Sequence, residues 1–207
     1  TYLWDDIFSP PRIVSGVFQH CDLEKMIERR YHRKPLFAIQ IDEKITNRHY
    51  QLRAVTKCCE NYEKGDRNCL LIMATGTGKT RTAASIADVL TRGEHITTML
   101  FLADRKALVQ QAKEAFQKYI PNTTTCNLVK DKKERNARFV FSTYPTMIHS
   151  IDAERNEDGS RFFSPGHFDL IVVDEAHRSI FNKYRAIFEY FDAIKLGLTE
   201  KNKKTVH

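Results

Sequence analysis

LLIMATGTGKTRTAAS, residues Leu70 to Ser85, sets an apolar run against two glycines one residue apart, then a lysine, a threonine and an alanine-rich segment. The apolar run reads as a short buried strand, Cys69 to Met73, and the part from Lys79 to Leu90 as a helix stopped by Gly93. Between them the glycines let the backbone curl so that several N–H groups point inward, and the helix N-terminus adds partial positive charge. Such a turn holds an anion. Lys79 is placed to reach the β and γ phosphates of a nucleotide, and the Thr80 hydroxyl to ligate Mg²⁺. Thr75, Gly76, Thr77, Gly78 and Arg81 complete the candidate cradle. The common pattern G-x-x-x-x-G-K-[ST] is met at Gly78, Lys79 and Thr80, but Met73 stands at its first glycine and Gly76 supplies the second instead. The plain alternative is a glycine-rich turn that binds nothing.

Outward from this turn, strands and helices alternate. Strand patterns cover Ile96 to Leu102, Arg138 to Ser142, Phe168 to Val173 and Ala193 to Leu198. Helical patterns cover Arg105 to Tyr119, Pro145 to Ile151 and Lys183 to Phe191. Apolar strands alternating with helices predict an α/β fold of three layers, a mostly parallel sheet with helices on both faces. Upstream, Asp22 can cap a short helix that ends at Lys34-Pro35, and Asn47 a second one running to about Tyr62. Residues 1–44 form an extension, with Thr1 to Gly16 read as an arm or linker, and residues 45–207 the main unit. The long polar segment Asp152 to Gly166 is expected on the surface.

Composition narrows the class. Of 207 residues 42% are hydrophobic and 29% charged, the profile of a folded soluble domain. The longest apolar runs fall far below the roughly 20 residues needed to cross a bilayer, and Thr1 to Pro11 carries Asp5 and Asp6 with no signal-like apolar core. No membrane association is expected. Five cysteines, an odd number without metal-ligand spacing, read as reduced thiols of a cytoplasmic protein. The net charge of +7 is a mild bias toward polyanions.

A phosphate cradle that hydrolyses its nucleotide needs a carboxylate for the metal and a group to orient water. FDLIVVDEAH, Phe168 to His177, supplies both directly after a strand: Asp174 for Mg²⁺, and Glu175 as general base. Two ordinary surface acids ahead of a helix are the bland alternative.

By MATGTGKT and DEAH the chain resembles the first RecA-like lobe of the superfamily-two helicases and translocases. IVVDEAHRS together with FLADRKALVQQA is most similar to the motor (R) subunit of type I restriction enzymes. The resemblance covers about Ile45 to Thr199 and implies ATP and Mg²⁺ as cofactors, with Lys79, Asp174 and Glu175 catalytic. NRHYQLRAV matches the adenine-reading segment of that family. Gln51 would meet adenine through its amide, supported by Arg48 and Tyr50, unless Gln51 is an exposed helix residue. Arg105 and Lys106 begin a helix in the segment that touches the nucleic-acid backbone, or are solvated charges. Ser142 and Thr143 of STYPTM could bond phosphate oxygens, or simply cap a helix ahead of Pro145. The basic run KDKKERNAR, Lys130 to Arg138, reads as a solvated loop.

The resemblance breaks after LGLT, Leu196 to Thr199, where Glu200 and Lys201 replace the family's alanine and threonine of its coupling motif, either an altered motif or a junction across missing residues. Thr199 and His177 are the coupling candidates. The family's second RecA-like lobe, which carries arginine fingers, and a convincing nuclease motif are not read in this sequence; in the resembled restriction subunits the nuclease lies upstream of the motor, consistent with Thr1 to Pro11 as a severed linker. Duplex DNA, the second lobe, and the methylation and specificity subunits are the partners the resemblance implies. Open alternatives are an RNA or repair helicase, and a nucleotide-binding interaction module that has lost motor coupling.

Overall fold

The computed structural model describes residues 2–3, 11–131, 136–157, 159–176 and 178–200. Strands β1 (Tyr2–Leu3) and β2 (Arg12–Ile13) pair antiparallel ahead of helix α1 (His20–His32). A 3-10 turn at Leu36–Ala38 leads into α2 (His49–Glu63). The main unit continues as β3 (Asn68–Ile72), α3 (Lys79–Arg92), β4 (Met99–Ala103), α4 (Lys106–Tyr119) and β5 (Thr125–Asn127). It ends with β6 (Phe139–Thr143), α5 (Tyr144–Ala153), β7 (Leu170–Val173), α6 (Arg178–Lys183), α7 (Arg185–Tyr190) and β8 (Ile194–Thr199). Strands β3 to β8 form one sheet of six, all parallel, in the order β3-β8-β7-β4-β6-β5.

The expected three layers are present, and the two-residue period of a strand builds them. In β4, Met99, Phe101 and Ala103 enter one core while Leu100 and Leu102 enter the other. The first core packs the sheet against α2, α3 and α4. Phe116 of α4 sits at its centre, edge-on to Phe101, Phe139 and Phe141 at centroid distances of 5.4 to 6.2 Å. The second core packs the opposite face against α5 and α7 through Tyr144, Met147, Ile187 and Phe191. Ala83, Ala84, Ser85 and Ala87 leave α3 thin enough to press onto the sheet, all four fully buried.

Several expectations need correction. The helix read over Lys183 to Phe191 is present as α7, and a short helix that the reading did not include, α6, precedes it. Edge strand β5 escaped the sequence reading because Thr-Cys-Asn is short and polar. The segment Asp152 to Gly166 is not wholly on the surface, since Phe163 is fully buried and Ser164 donates to Asp22 Oδ2 at 2.5 Å. Asp22 is not the cap itself. It lies one turn inside α1 and accepts the Gln19 N–H at 3.0 Å, while α2 begins at His49 behind Arg48 rather than at Asn47. All five cysteines are free thiols. Among the described residues no helix is long and apolar enough to cross a membrane.

Candidate functional site

Parallel strands aim their carboxyl ends at one edge, and the residues beyond those ends make the site. After β3 the chain turns through Gly76 (φ +75°) and Gly78 (φ +89°), both left-handed, a conformation glycine adopts without a Cβ clash. At Gly78 the demand is also spatial, because a Cβ would come within 2.6 Å of Gln51 Nε2. Helix α3 then starts at Lys79, so its first N–H groups open into the turn. The Thr80 hydroxyl is half-buried and has no hydrogen-bond partner among the described residues.

The acid pair approaches from β7. Asp174 N–H donates to Leu102 O at 2.9 Å and Ala176 N–H to Leu198 O at 2.7 Å, so β4 and β8 clamp the backbone on either side of Glu175. Glu175 is held at φ +53°, a left-handed conformation that costs a non-glycine residue about 1–3 kcal/mol. Lys79 Nζ lies 3.2 Å from Glu175 Oε1 and 3.0 Å from Glu200 Oε1, with its side chain only 13% exposed. Burial pulls the ammonium down, but the bonds to Glu200 and Glu175 outweigh it and hold the Lys79 pKa above the usual lysine value. Burial pushes the Asp174 carboxyl up and Glu175 adds to the shift, with Lys79 opposing both. The site therefore holds one acid that its surroundings do not favour as an anion. A cation placed beside it would reverse that.

The strand order explains why these groups meet. Strand β8 lies between β3 and β7, and Thr199 O accepts the Met73 N–H at 2.9 Å. The residue after Thr199 thus emerges between the phosphate turn and the acid pair.

Gln51, Tyr50 and Arg48 converge on the same turn. Gln51 Nε2 donates to Thr77 O at 2.9 Å, Tyr50 Oη donates to the same oxygen at 3.0 Å, and Arg48 Nη1 donates to Tyr50 Oη at 2.9 Å. That bond to Tyr50 raises the Arg48 pKa. Gln51 is buried rather than exposed, and its Oε1 is a buried acceptor with no partner among the described residues. An orphaned buried carbonyl is costly unless a ligand donates to it. With the unpartnered Thr80 hydroxyl, the inward N–H groups and Lys79, the donor set fits a nucleotide with a divalent cation.

Other predicted residues divide. Arg105 and Lys106 are exposed at the start of α4, at the same edge of the sheet, with no ion pair among the described residues. Thr143 pairs in register with Ala103 at that edge, where its hydroxyl meets Thr146 Oγ1 at 2.9 Å. Ser142 is corrected as a phosphate contact: it is fully buried and its hydroxyl donates to Thr143 O at 3.1 Å. Alternation along β6 turns it into the sheet's packing. Arg81 is also corrected, since its guanidinium leaves the cradle to donate to Ile45 O and Lys44 O and to lie over the Tyr119 ring. Two residues into α3, position 81 is rotated about 200° from Lys79 and faces away from the glycine turn. Thr199 is buried at the end of β8. His177 lies outside the described residues. Two features escaped the sequence reading: Glu200 as a partner of Lys79, and the Thr77 carbonyl as the shared anchor of the adenine segment. Neither has a local signature.

Comparison with known proteins places this geometry. Residues 44–200 match the ResIII family, "Type III restriction enzyme, res subunit". The "Type I restriction enzyme EcoAI endonuclease subunit" of Escherichia coli is 36% identical over 163 residues, 76% of this chain and 20% of that protein. The chain therefore spans about a fifth of that relative's length. Among solved structures, the Pyrococcus furiosus Hef helicase domain superposes with a TM-score of 0.59 at 27% identity, over 81% of this chain and 35% of that one. A nuclease-deletion mutant of the Type ISP restriction-modification enzyme LlaGI, in complex with a DNA substrate mimic, gives 0.58 at 24% identity, over 77% of this chain and 18% of that one. The latter likeness is one of fold.

Proposed function

The chain belongs to the ResIII family, and from that premise we propose that it is the ATP-binding, RecA-like lobe of an ATP-dependent DNA translocase of the type I restriction kind. The observation that carries the reading is the meeting of Lys79 with Glu175 at 3.2 Å across the carboxyl ends of the sheet. A lysine on a glycine turn and an acid pair on another strand have little structural reason to share that edge. A triphosphate gives them one.

ATP with Mg²⁺ supplies a phosphoanhydride bond whose hydrolysis releases the energy for movement. The N–H groups of residues 75–80 and the Lys79 ammonium would hold the phosphates, and Thr80 and Asp174 the metal. Gln51 Oε1 would accept from the adenine amino group, and Glu175 Oε1 would take the proton of the attacking water. Arg105, Lys106 and the Thr143 edge would touch the DNA backbone. A second RecA-like lobe would supply the arginine that completes hydrolysis, worth about 10³ to 10⁵ in rate. Methylation and specificity subunits are the partners this reading implies, and the cytoplasm its location.

Calorimetry on the 207-residue chain tests the reading. Mg·ATP binding should weaken about a hundredfold or more in Lys79→Ala, because the phosphates would lose a deeply set cation. In the intact translocase, Glu175→Gln should keep ATP bound and stop its hydrolysis. Unchanged nucleotide affinity in the lysine variant would sink the proposal.

A further inference from the structure

Strand β8 delivers its last residue into the centre of the site, and directly after Thr199 the chain places a third acid. Glu200 Oε1 lies 3.0 Å from Lys79 Nζ, nearer than Glu175 Oε1 at 3.2 Å. Two of the three ammonium protons are thus directed at carboxylates before any phosphate arrives. Among the described residues, the acids Asp174, Glu175 and Glu200 act on that one cation, so these four groups carry a formal excess of negative charge. A phosphate reaching for Lys79 finds one ammonium proton left to it, must compete with the carboxylates for the rest, and enters against their field. A divalent cation that enters with the phosphate cancels that field.

We propose that Glu200 sets the affinity and metal dependence of nucleotide binding: its carboxylate holds the Lys79 ammonium in the nucleotide-free chain, competes with the phosphates for it, and so admits a nucleotide mainly when a divalent cation accompanies it. The inference rests on the nucleotide reading above. Glu200 belongs neither to the phosphate turn nor to the Asp174–Glu175 pair. Its carboxylate is 44% exposed, so it can swing away when displaced, and its neutral amide isostere fits without repacking. Glu175 differs in that the backbone on either side of it is clamped between β4 and β8, so only its side-chain torsions can carry it from Lys79.

The experiment is equilibrium binding of a ribose-labelled fluorescent ATP to the chain, to Glu200→Gln, to Glu200→Ala and to Lys79→Ala, each in excess Mg²⁺ and in EDTA. Both Glu200 variants should bind the metal-free nucleotide roughly three- to fivefold more tightly than the parent, the modest effect of a half-exposed pair. Their Mg-bound affinities should change less, so the ratio between the two conditions narrows. A residue of purely structural importance would shift both conditions alike. Equal affinities for the parent and both Glu200 variants in EDTA, with Lys79→Ala still abolishing binding, would overturn the competition and leave the nucleotide reading standing. Binding by none of the four proteins would remove both.

Discussion

At the amino ends of the strands, acids and bases are matched, while at the carboxyl ends three acids crowd one lysine. Asp169, at the entry to β7, has a side chain only 2% exposed, pairs with Arg29, and accepts the N–H groups of Thr97 at 2.7 Å and Thr98 at 3.0 Å. Asp192, ahead of β8, takes Arg12 at 2.7 Å and Arg67 at 2.8 Å, tying the first strand pair to the sheet. Each carboxylate there is covered by protein donors. At the opposite edge Asp174 is pushed toward its neutral form, Glu175 sits in a strained backbone conformation, and Gln51 Oε1 has no partner among the described residues. Identical chemical groups thus serve as fasteners at one end, and at the other are held in strained or unfavourable settings of the kind a bound ligand would relieve.

The sharpest way to break the fastened end is Asp169→Ala, which strips Arg29 and two backbone N–H groups of their acceptor. Removing one member of a buried pair costs about 3–5 kcal/mol, readable in urea denaturation. A loss below about 1 kcal/mol, the scale of an exposed pair, would show that the amino end is no more tightly built than the other.

Acid provides a smaller contrast, and its sign differs between the ends. Burial, with help from Lys25, lowers the His167 pKa from 6.5 to about 4. The unfolded chain takes up that proton first, so this part of the stability is full above pH 6.5 and is lost as the pH falls toward about 4. About 3 kcal/mol is at stake, and His167→Gln should flatten the decline. Asp174 runs the other way. With its native pKa raised above 3.8, the ionised form costs stability at neutral pH, and that cost disappears as acid protonates it. Asp174→Asn should therefore raise the melting temperature of the nucleotide-free chain slightly near pH 7, and have no effect below pH 3.8. A fall in melting temperature at neutral pH would mean that the carboxylate is already satisfied.

Much of the site was legible because its signals are local. A strand, two glycines and a lysine in close succession specify an anion turn whatever surrounds it. An acid pair directly after an apolar run specifies carboxylates at a strand end. The setting of Gln51 was not legible: nothing in NRHYQLRAV says that the amide is buried, with one oxygen unpaired among the described residues. Ser142 and Arg81 failed for a related reason. Their side-chain directions depend on which face of β6 and which turn of α3 the core claims, and both were claimed by packing. The surface reading of the polar run 152–166 failed because Phe163 was outvoted by its polar neighbours, although the second core buries it completely.

By itself the sequence determined the α/β class, the glycine turn ahead of α3 and the acid pair after β7, since each rests on spacings of a few residues and on backbone sterics. Only the tertiary structure decided that β8 runs between β3 and β7, and so that Glu200 stands on Lys79. Strand order is set by which apolar faces cover one another at long range, and the two-residue period of a strand is the same whichever neighbour it acquires.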